Sequence, residues 1–492
     1  MRGLRRISRA VIAATLVAAT GVHEATGARP AADASAATNG RGRLPAYLVV
    51  PDASGAAATY STQGPIDLAN PFFQVFGTNG RSCATCHAPA TGWTVTPASL
   101  RLRFIVTRGT DPIFRTNDGS VSPNADVATL AARLVAYNML LTKGLIRVGI
   151  GIPASAEFTL IAVDDPYGYA SAKELSLFRR PLPSANLGFI STVMHDGRET
   201  FVDPASTDCI MGTTTCFASI HFDLADQANG ATTGHAQAAQ PLTRAQQDAI
   251  VAFEASLYTA QVFDAAAGSL TARGALGGPI ALAGMPFYFG INDAVAGDYR
   301  SGAPFDPSVF TLYASWDDAG HHAPDPGDWL DRSAARAAVA RGETLFNSKP
   351  IAITGVSGLN DALGMPVIQG TCSTCHDSPN AGSHSIPAPL DIGISDASRR
   401  TPDLPLYTLR HDAAPYEIVQ TTDPGRALIT GKWKDIGRFK GPTLRALATR
   451  APYFHNGSAP NLGAVVDFYD KRFGIGFTQQ EKDDLVAFLR AL

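Results

Sequence analysis

Four of the six cysteines in this sequence share one pattern, and each pair is followed by a histidine. The two copies are Cys83-Ala84-Thr85-Cys86-His87 and Cys372-Ser373-Thr374-Cys375-His376. Two thiols at this spacing can form thioethers with the vinyl groups of a porphyrin, and the adjacent histidine is then held beneath the iron as an axial ligand. The motifs therefore predict two covalently bound haem c groups, with His87 and His376 as iron ligands.

Two other chemistries also use paired cysteines. Zinc sites built from two Cys-x-x-Cys pairs usually separate the pairs by about 15–20 residues, whereas His87 and His376 are 289 residues apart. A dithiol redox pair explains the cysteines but gives neither histidine a role. The sequence favours haem, with zinc and dithiol chemistry as the alternatives.

The N-terminus has the pattern of a secretory signal peptide, predicted over residues 1–28. Four arginines among the first nine residues precede an uncharged run at 10–22 and small residues at 25–28. The run is shorter than the ~20 residues that cross a bilayer, and an uncleaved anchor is the alternative. Residues 29–44 are predicted to be a flexible linker, and the protein is expected in the periplasm.

The two remaining cysteines, Cys209 and Cys216, bracket a turn-rich loop. In an oxidising compartment this spacing predicts a short-loop disulfide, and two free thiols are the alternative.

Composition excludes other classes of protein. The chain has 492 residues, 45% of them hydrophobic and 17% charged, which suits two or three folded domains. The net charge is −3 and no basic stripe is present, so nucleic acid is not an expected partner. No segment after the signal peptide is long and apolar enough to span a membrane.

The chain contains a degenerate repeat. Residues Thr243 to Leu257 align without gaps with Thr478 to Leu492, and both segments have a capping box and apolar residues at helical spacing. His195-Asp-Gly and His455-Asn-Gly form a second pair of matching turns. Each half therefore runs from haem motif to turn to closing helix.

This repeat predicts the domain organisation. Residues 45–265 form an N-terminal haem domain, 266–332 a connecting segment, and 333–492 a C-terminal haem domain that opens with a helix from Ser333 to Phe346. The expected fold is mainly α, with two cytochrome c-like domains in tandem and long loops.

Three segments resemble the bacterial dihaem cytochrome c peroxidase and MauG superfamily. They are Phe439 to Ser458, Met194-His195-Asp196-Gly197-Arg198, and Asp226-Gln227-Ala228. The resemblance covers most of residues 70–260 and 335–492. It implies that the N-terminal haem meets the oxidant while a six-coordinate C-terminal haem passes electrons, and it also implies a calcium ion between the domains, although no acidic loop here specifies its ligands.

The sequence departs from the peroxidases of this family at three positions. The family's tryptophan between the haems is replaced by His195. The distal glutamate is matched by Gln237, with His235 nearby as an acid, base or sixth ligand. The distal methionine of the C-terminal haem aligns with Tyr469. Gln237 and Tyr469 follow the MauG type, which implies that Tyr469 is an iron ligand.

Two functions of different class follow. The first is an oxidoreductase that reacts with hydrogen peroxide, or with dioxygen, and draws electrons from a donor protein or a small redox donor. The second is a dihaem electron carrier without catalysis. The resemblance favours the enzyme.

Overall fold

The computed structural model describes residues 42–200, 207–209, 216–218, 220–317 and 331–492. Within the two short strands at 207–209 and 216–218 only the backbone is described. The predicted signal peptide and residues 29–41 of the predicted linker lie outside the described residues. The last two linker residues, Arg43 and Leu44, form a strand, with Leu44 paired to Ile66.

The described part of the chain contains eleven α-helices, numbered in chain order. They are α1 (Pro97–Thr107), α2 (Leu130–Ala136), α3 (Asn138–Lys143), α4 (Ile220–Gly234), α5 (Arg244–Ala255), α6 (Pro279–Ala283), α7 (Ser333–Ser348), α8 (Asn360–Leu363), α9 (Ala427–Thr430), α10 (Leu462–Phe473) and α11 (Gln479–Ala491). None of these helices is both long and apolar enough to cross a membrane.

Fifteen strands accompany them in the same ranges. They are β1 (Arg43–Leu44), β2 (Tyr47–Asp52), β3 (Gly55–Ser61), β4 (Ile66–Asp67), β5 (Ile146–Ile150), β6 (Phe158–Asp164), β7 (Leu175–Arg179), β8 (Thr207–Cys209), β9 (Cys216–Ala218), β10 (Leu257–Asp264), β11 (Gly268–Ser269), β12 (Ile351–Thr354), β13 (Val367–Gly370), β14 (Leu406–His411) and β15 (Ile418–Thr421).

The prediction of a mainly α fold is wrong. Helices account for 32% and strands for 18% of the structure, and the strands form several separate sheets. The strand β3 shows why the pattern misled, because its sequence Gly-Ala-Ala-Ala-Thr-Tyr-Ser lacks a clear alternation of apolar and polar residues and is rich in alanine, a strong helix former. It is held as a strand by pairing on both sides, with the adjacent β2 and with the distant β10.

Long-range antiparallel pairing organises the sheets. A four-stranded sheet has the order β11-β10-β3-β2, and the hydroxyls of the paired residues Thr59 and Thr259 lie 2.8 Å apart. A three-stranded sheet has the order β15-β14-β6, in which Tyr407 pairs with Val163. A strand from the first half of the chain is thus hydrogen-bonded to a hairpin from the second half.

The predicted closing helices are confirmed as α5 and α11. Thr243 caps α5 and Thr478 caps α11, each in a capping box. On α5, the Phe253 ring lies 5.0 Å from the Phe72 ring. On α11, the matching Phe488 ring lies 5.8 Å from Phe346. The repeat seen in the sequence therefore repeats in packing.

The described part of the predicted connecting segment packs against the second half. The Phe310 ring lies 5.2 Å from Phe346 of α7 and 5.3 Å from Phe488 of α11. The Tyr313 hydroxyl donates to the carbonyl of Ala491 at 2.6 Å. The predicted opening helix is confirmed as α7, which spans Ser333–Ser348. Residues 266–317 therefore contribute to one core with α7 and α11, and the predicted domain boundaries remain predictions.

Candidate haem sites and cavity

The first Cys-x-x-Cys-His motif begins as a 3-10 turn over Cys83–Thr85. The Ser82 amide donates to Thr85 Oγ1 at 3.0 Å, and the His87 amide donates to the carbonyl of Cys83 at 2.9 Å. These bonds hold the motif in a tight loop. Cys83, Cys86 and His87 all line one cavity.

The second motif has the same local structure. Its 3-10 turn spans Cys372–Thr374, the Thr371 amide donates to Thr374 Oγ1 at 3.0 Å, and the His376 amide donates to the carbonyl of Cys372 at 3.2 Å. Two segments far apart in the chain therefore adopt one loop geometry, as expected if both hold the same group.

Each motif histidine is oriented by a carbonyl six residues downstream. His87 Nδ1 lies 3.2 Å from the carbonyl oxygen of Trp93, and His376 Nδ1 lies 2.7 Å from that of Gly382. Donation from Nδ1 leaves Nε2 as the unprotonated nitrogen that can bind a metal. Burial lowers the pKa of His87 to about 4 and also lowers that of His376, so both imidazoles are neutral near pH 7.

An aromatic ring packs against each histidine in the same way. The Phe72 centroid lies 6.5 Å from His87 and the Phe346 centroid 6.1 Å from His376, and both pairs are tilted by 54°. These are the rings that contact the closing helices. The helix, the phenylalanine and the histidine thus form one packing unit in each half, which positions the histidine.

The four motif thiols are buried. Burial raises the pKa of Cys372 and Cys375 to about 12 and also raises that of Cys83 and Cys86. Within the described ranges, no group of three or more His, Cys, Asp or Glu side chains is placed to hold a metal ion. The spacing of the motifs, and not the acidity of the thiols, distinguishes haem from zinc, because a bound zinc ion itself deprotonates the thiols that coordinate it.

The cavity at the first motif is large and has walls from both halves of the chain. It encloses about 1730 Å³ of space, including its open mouth. The second half of the chain contributes Lys440 and Arg450 to this wall, and the first half contributes Cys83 and His87.

Three buried cations in this cavity, Arg445, Arg450 and Lys440, form no salt bridge within the described part of the chain. Arg445 Nη1 donates to the carbonyl of Asn380 at 2.9 Å, but its Nε and Nη2, like Nε of Arg450, have no hydrogen-bond partner among the described residues. Burial lowers the pKa of Arg445 and Arg450 to about 10 and that of Lys440 to about 8. Haem carries two propionate carboxylates, which match such donors. The residues present therefore fit a haem.

His235 lines the cavity, where it is held by a buried carboxylate. His235 Nδ1 lies 2.5 Å from Asp118 Oδ2, and Arg81 Nη1 lies 2.5 Å from Asp118 Oδ1. Burial acts to raise the pKa of Asp118, but the hydrogen bond with His235 and the charge of Arg81 bring it below its ordinary value. The pair fixes the His235 ring and leaves Nε2 available to a substrate.

Asp118 and Arg81 were not predicted from the sequence. Arg81 stands two residues before Cys83, a position that could have drawn attention to it. Asp118 gives no such signal, because it is 117 residues from His235 and belongs to no motif.

Gln237 does not share this position. Its side chain is exposed, it is absent from the cavity wall, and its backbone has a φ of 57°. The carbonyl oxygen of Gln237 accepts a hydrogen bond from the amide of Thr78 at 3.4 Å. Of the two predicted distal residues, the structure brings only His235 to the first motif.

His195 also lines the cavity. Its Nε2 lies 2.8 Å from the carbonyl oxygen of Arg180, and its ring centroid lies 6.2 Å from that of His455. His455 stacks on Phe439 at 3.9 Å. Burial lowers the pKa of His195 to about 3, so the ring is a neutral imidazole at physiological pH.

A short backbone path leads from His195 towards the second motif. The Lys440 amide donates to the carbonyl of His195 at 2.9 Å. The next residue, Gly441, is so close to the second motif that a Cβ there would lie 3.6 Å from the carbonyl oxygen of Cys375. The His195 backbone is thus linked through Lys440 and Gly441 to the second motif. Its predicted role between the haems stays a prediction.

Tyr469 lies on α10 near the cysteines of the second motif. Burial and the charges of Cys375 and Cys372 raise its pKa. Its ring packs against Phe468 at 5.2 Å and stacks on Phe473 at 6.4 Å. The hydroxyl has no hydrogen-bond partner in the described part of the chain. This position is compatible with the predicted role as a ligand, which stays a prediction.

A buried ion cluster fastens the wall that carries His195. Arg179 Nη1 lies 2.5 Å from Asp196 Oδ2, and Arg179 Nε lies 2.7 Å from Asp423 Oδ2. The charge of Arg179, set against burial, lowers the pKa of both Asp196 and Asp423. Sequence analysis found Asp196 and its partner Arg198 by their motif but missed Arg179 and Asp423, which come from two other segments.

Comparison with known proteins finds relatives for part of the chain. No family model matches it. Cytochrome-c peroxidase IdrP1 of Pseudomonas sp. (strain SCT) is 31% identical over 181 residues, which cover 33% of this chain and 41% of that protein. Cytochrome c peroxidase Ccp of Escherichia coli (strain K12) is 41% identical over 75 residues, which cover 15% of this chain and 16% of that protein.

The matched regions thus span less than half the length of either relative. A solved structure of a MauG-like protein associated with microbial copper homeostasis aligns with a TM-score of 0.29 and 17% identity, over 66% of this chain and 78% of that one. That likeness is too weak to support a statement about this chain. The sequence matches show that parts of this chain are similar to bacterial cytochrome c peroxidases, at 30–41% identity.

Proposed function

We propose that this protein is an exported dihaem c-type oxidoreductase of cytochrome c peroxidase/MauG type. Cys83, Cys86 and His87 would hold a haem c that supplies the site for reaction with hydrogen peroxide or another oxidant, and the motif of His376 would hold a second haem c that supplies electron transfer. The observation that carries the proposal is the cavity on the first motif, because its wall holds a histidine fixed by a carboxylate. The names of the peroxidase relatives support peroxide as the oxidant.

The protein's own residues have distinct tasks in this proposal. His87 binds the iron through Nε2, and its bond to the carbonyl of Trp93 sets the orientation of the ring. His235, held by Asp118, accepts and returns a proton at Nε2 as the oxidant is bound and cleaved. The haem itself supplies the redox chemistry. Gln237 has no part in the cavity and is not assigned a role.

Three further features belong to the proposal. Residues 1–28 direct export to the periplasm, where a donor protein or a small redox donor supplies electrons. Cys209 and Cys216 form a disulfide, and the pairing of these two residues in β8 and β9 supports it. The Cα atoms of residues paired across antiparallel strands lie about 4.5–5.5 Å apart, which is within the Cα–Cα range of disulfides. A calcium ion between the halves stays a prediction, testable by elemental analysis of the purified protein.

Haem content and spin state test the proposal. A pyridine-haem assay on the purified, matured protein should give two c-type haems per chain. The oxidised protein should show one high-spin and one low-spin iron and should turn over peroxide with a reductant. Two low-spin irons that ignore peroxide would identify a non-catalytic electron carrier, and one haem or zinc would end the dihaem assignment.

A pair of histidine variants tests the assignment of the cavity. His235→Ala should slow the reaction with peroxide. His221→Ala is the matched control, because His221 is also a histidine paired with an aspartate, at 3.2 Å from Asp248, but on an exposed surface of α4. Equal rates in the two variants would contradict the role of His235.

A further inference from the structure

Glu254 is a buried acid in the wall of the cavity at the first motif. It lies on α5 and is only 6% exposed. The Ser184 hydroxyl, in the same cavity wall, is its hydrogen-bond partner, and no salt bridge to Glu254 is found among the described residues. Burying a carboxylate without a counter-charge costs free energy. Glu254 is therefore stable in this wall either when it is protonated or when a positive charge enters the cavity.

The internal repeat shows that the fold does not need an acid here. In the gapless alignment of the closing helices, Phe253 matches Phe488 and Glu254 matches Leu489. Leu489 is 8% exposed and packs in the core of the second half. An apolar side chain therefore satisfies this position in the second half, and the carboxyl is specific to the first half, where it lines the cavity.

The charged groups around Glu254 are few. The 3-10 turns at 71–73 and 187–189, which pack on α5, carry none. The helix α4, which also packs on α5, carries Asp223, Asp226 and His221, and His221 pairs with Asp248 on the exposed side. Cys83 interacts electrostatically with Glu254, but a thioether does not titrate. The rest of the cavity wall carries the pair of His235 with Asp118 and the cations Lys440, Arg445 and Arg450, none of which forms a salt bridge with Glu254 within the described residues. A haem at the first motif would add to this wall a charge that changes on reduction.

We propose that Glu254 binds the proton that accompanies reduction of the haem at the first motif. This inference depends on one part of the proposed function, which is the presence of a haem at the first motif. One electron from an external reductant removes one positive charge from ferric iron, and one proton from solvent neutralises the Glu254 carboxylate. Oxidation reverses both transfers, so the net charge of the cavity stays constant.

With the ordinary glutamate pKa of about 4.3, this proton exchange would occur well below neutral pH. Burial raises the pKa of Glu254 to about 7, which brings the exchange into the working range of a periplasmic protein. Because the reduced state binds the proton more tightly, the midpoint potential should be highest at low pH and should fall as the pH rises. A tenfold change in proton concentration then shifts a one-electron potential by at most about 59 mV.

Redox titration of the full, haem-loaded protein tests this inference. With dithionite as reductant, the potential of the first haem in the wild type should fall with pH between about pH 6 and 8. Glu254→Gln keeps the shape of the side chain, and Glu254→Leu installs the residue of the repeat; both should give a nearly constant potential. Asp248→Asn, on the exposed face of the same helix, is the control and should keep the wild-type slope.

Redox-difference infrared spectra give a second readout. Reduction of the wild type should produce a protonated-carboxyl stretch that is missing in Glu254→Gln. A wild-type potential independent of pH, or a slope that survives in both Glu254 variants, would overturn the inference. Absence of haem at the first motif would instead contradict the proposed function, so the two failures are distinguishable.

Discussion

The buried cluster of Arg179, Asp196 and Asp423 gives the most quantitative prediction. Asp423→Asn preserves the shape of the side chain but removes one negative charge. In the native cluster, Arg179 and Arg198 balance Asp196 and Asp423, with Arg179 and both aspartates at most 2% exposed. The variant leaves one positive charge uncompensated inside the protein.

The magnitude follows from this burial. Breaking a buried ion pair by removing one partner costs about 3–5 kcal/mol. Since 1 kcal/mol shifts the melting temperature of a domain of about 150–250 residues by about 2–4 °C, the loss should lower the Tm of Asp423→Asn by at least ~6 °C near pH 7. Thermal melting followed by circular dichroism measures the shift. The control is Glu157→Gln, which breaks the exposed pair of Glu157 with Lys432 and should leave the Tm nearly unchanged.

The pH dependence distinguishes charge loss from poor packing. The pKa of Asp423 is lowered in the folded protein, so its carboxylate stabilises the fold above the ordinary aspartate pKa of about 3.9 and loses this effect as the pH falls. The difference in Tm between the wild type and Asp423→Asn should therefore shrink towards acid pH. Equal melting at pH 7, or a difference unchanged down to pH 3, would refute the reasoning.

Three further predictions concern the haems. Tyr469→Met and Tyr469→Phe should both alter the low-spin signal in spin resonance. Tyr469→Met should also raise the potential of the second haem, because a thioether favours ferrous iron more than a tyrosinate does. Unchanged signals in both variants would show that Tyr469 is not a ligand. Stopped-flow mixing with peroxide should show a slower reaction in His235→Ala and a wild-type rate in Gln237→Ala, since only the first side chain lines the cavity. Cys86→Ala or Cys375→Ala should leave that haem on a single thioether or lose it, as mass spectrometry of the intact chain can measure.

Local patterns predicted the features that depend on a few neighbouring residues. The two motifs, the capping boxes of Thr243 and Thr478, and the opening of α7 at Ser333 all lie within short windows of sequence. The packing of Phe253 and Phe488 was implied by the repeat, since equal helices with equal apolar positions bury the same face. The predicted disulfide would join the side chains of Cys209 and Cys216, which lie outside the part of the chain whose side chains are described.

Features built from distant segments escaped the sequence analysis. Thr59 of β3 pairs with Thr259 of β10, which is 200 residues away in the sequence. No local pattern identifies β3 as the partner of β10. Asp118 meets His235 for the same reason, through the path of the chain and not through a motif. Gln237 was placed by alignment spacing alone, which sets the order of residues but not the direction of a side chain.

The pairing of β6 with β14 also constrains how the protein matures. The strand at Phe158–Asp164 must wait for residues 406–411 before its sheet can form, and closing so long a loop is slow. Once the fold is closed, burial raises the pKa of the Cys83 thiol and so disfavours its reactive thiolate. The Cys83 thiol is therefore more reactive in a chain whose two halves have not yet joined than in the closed fold.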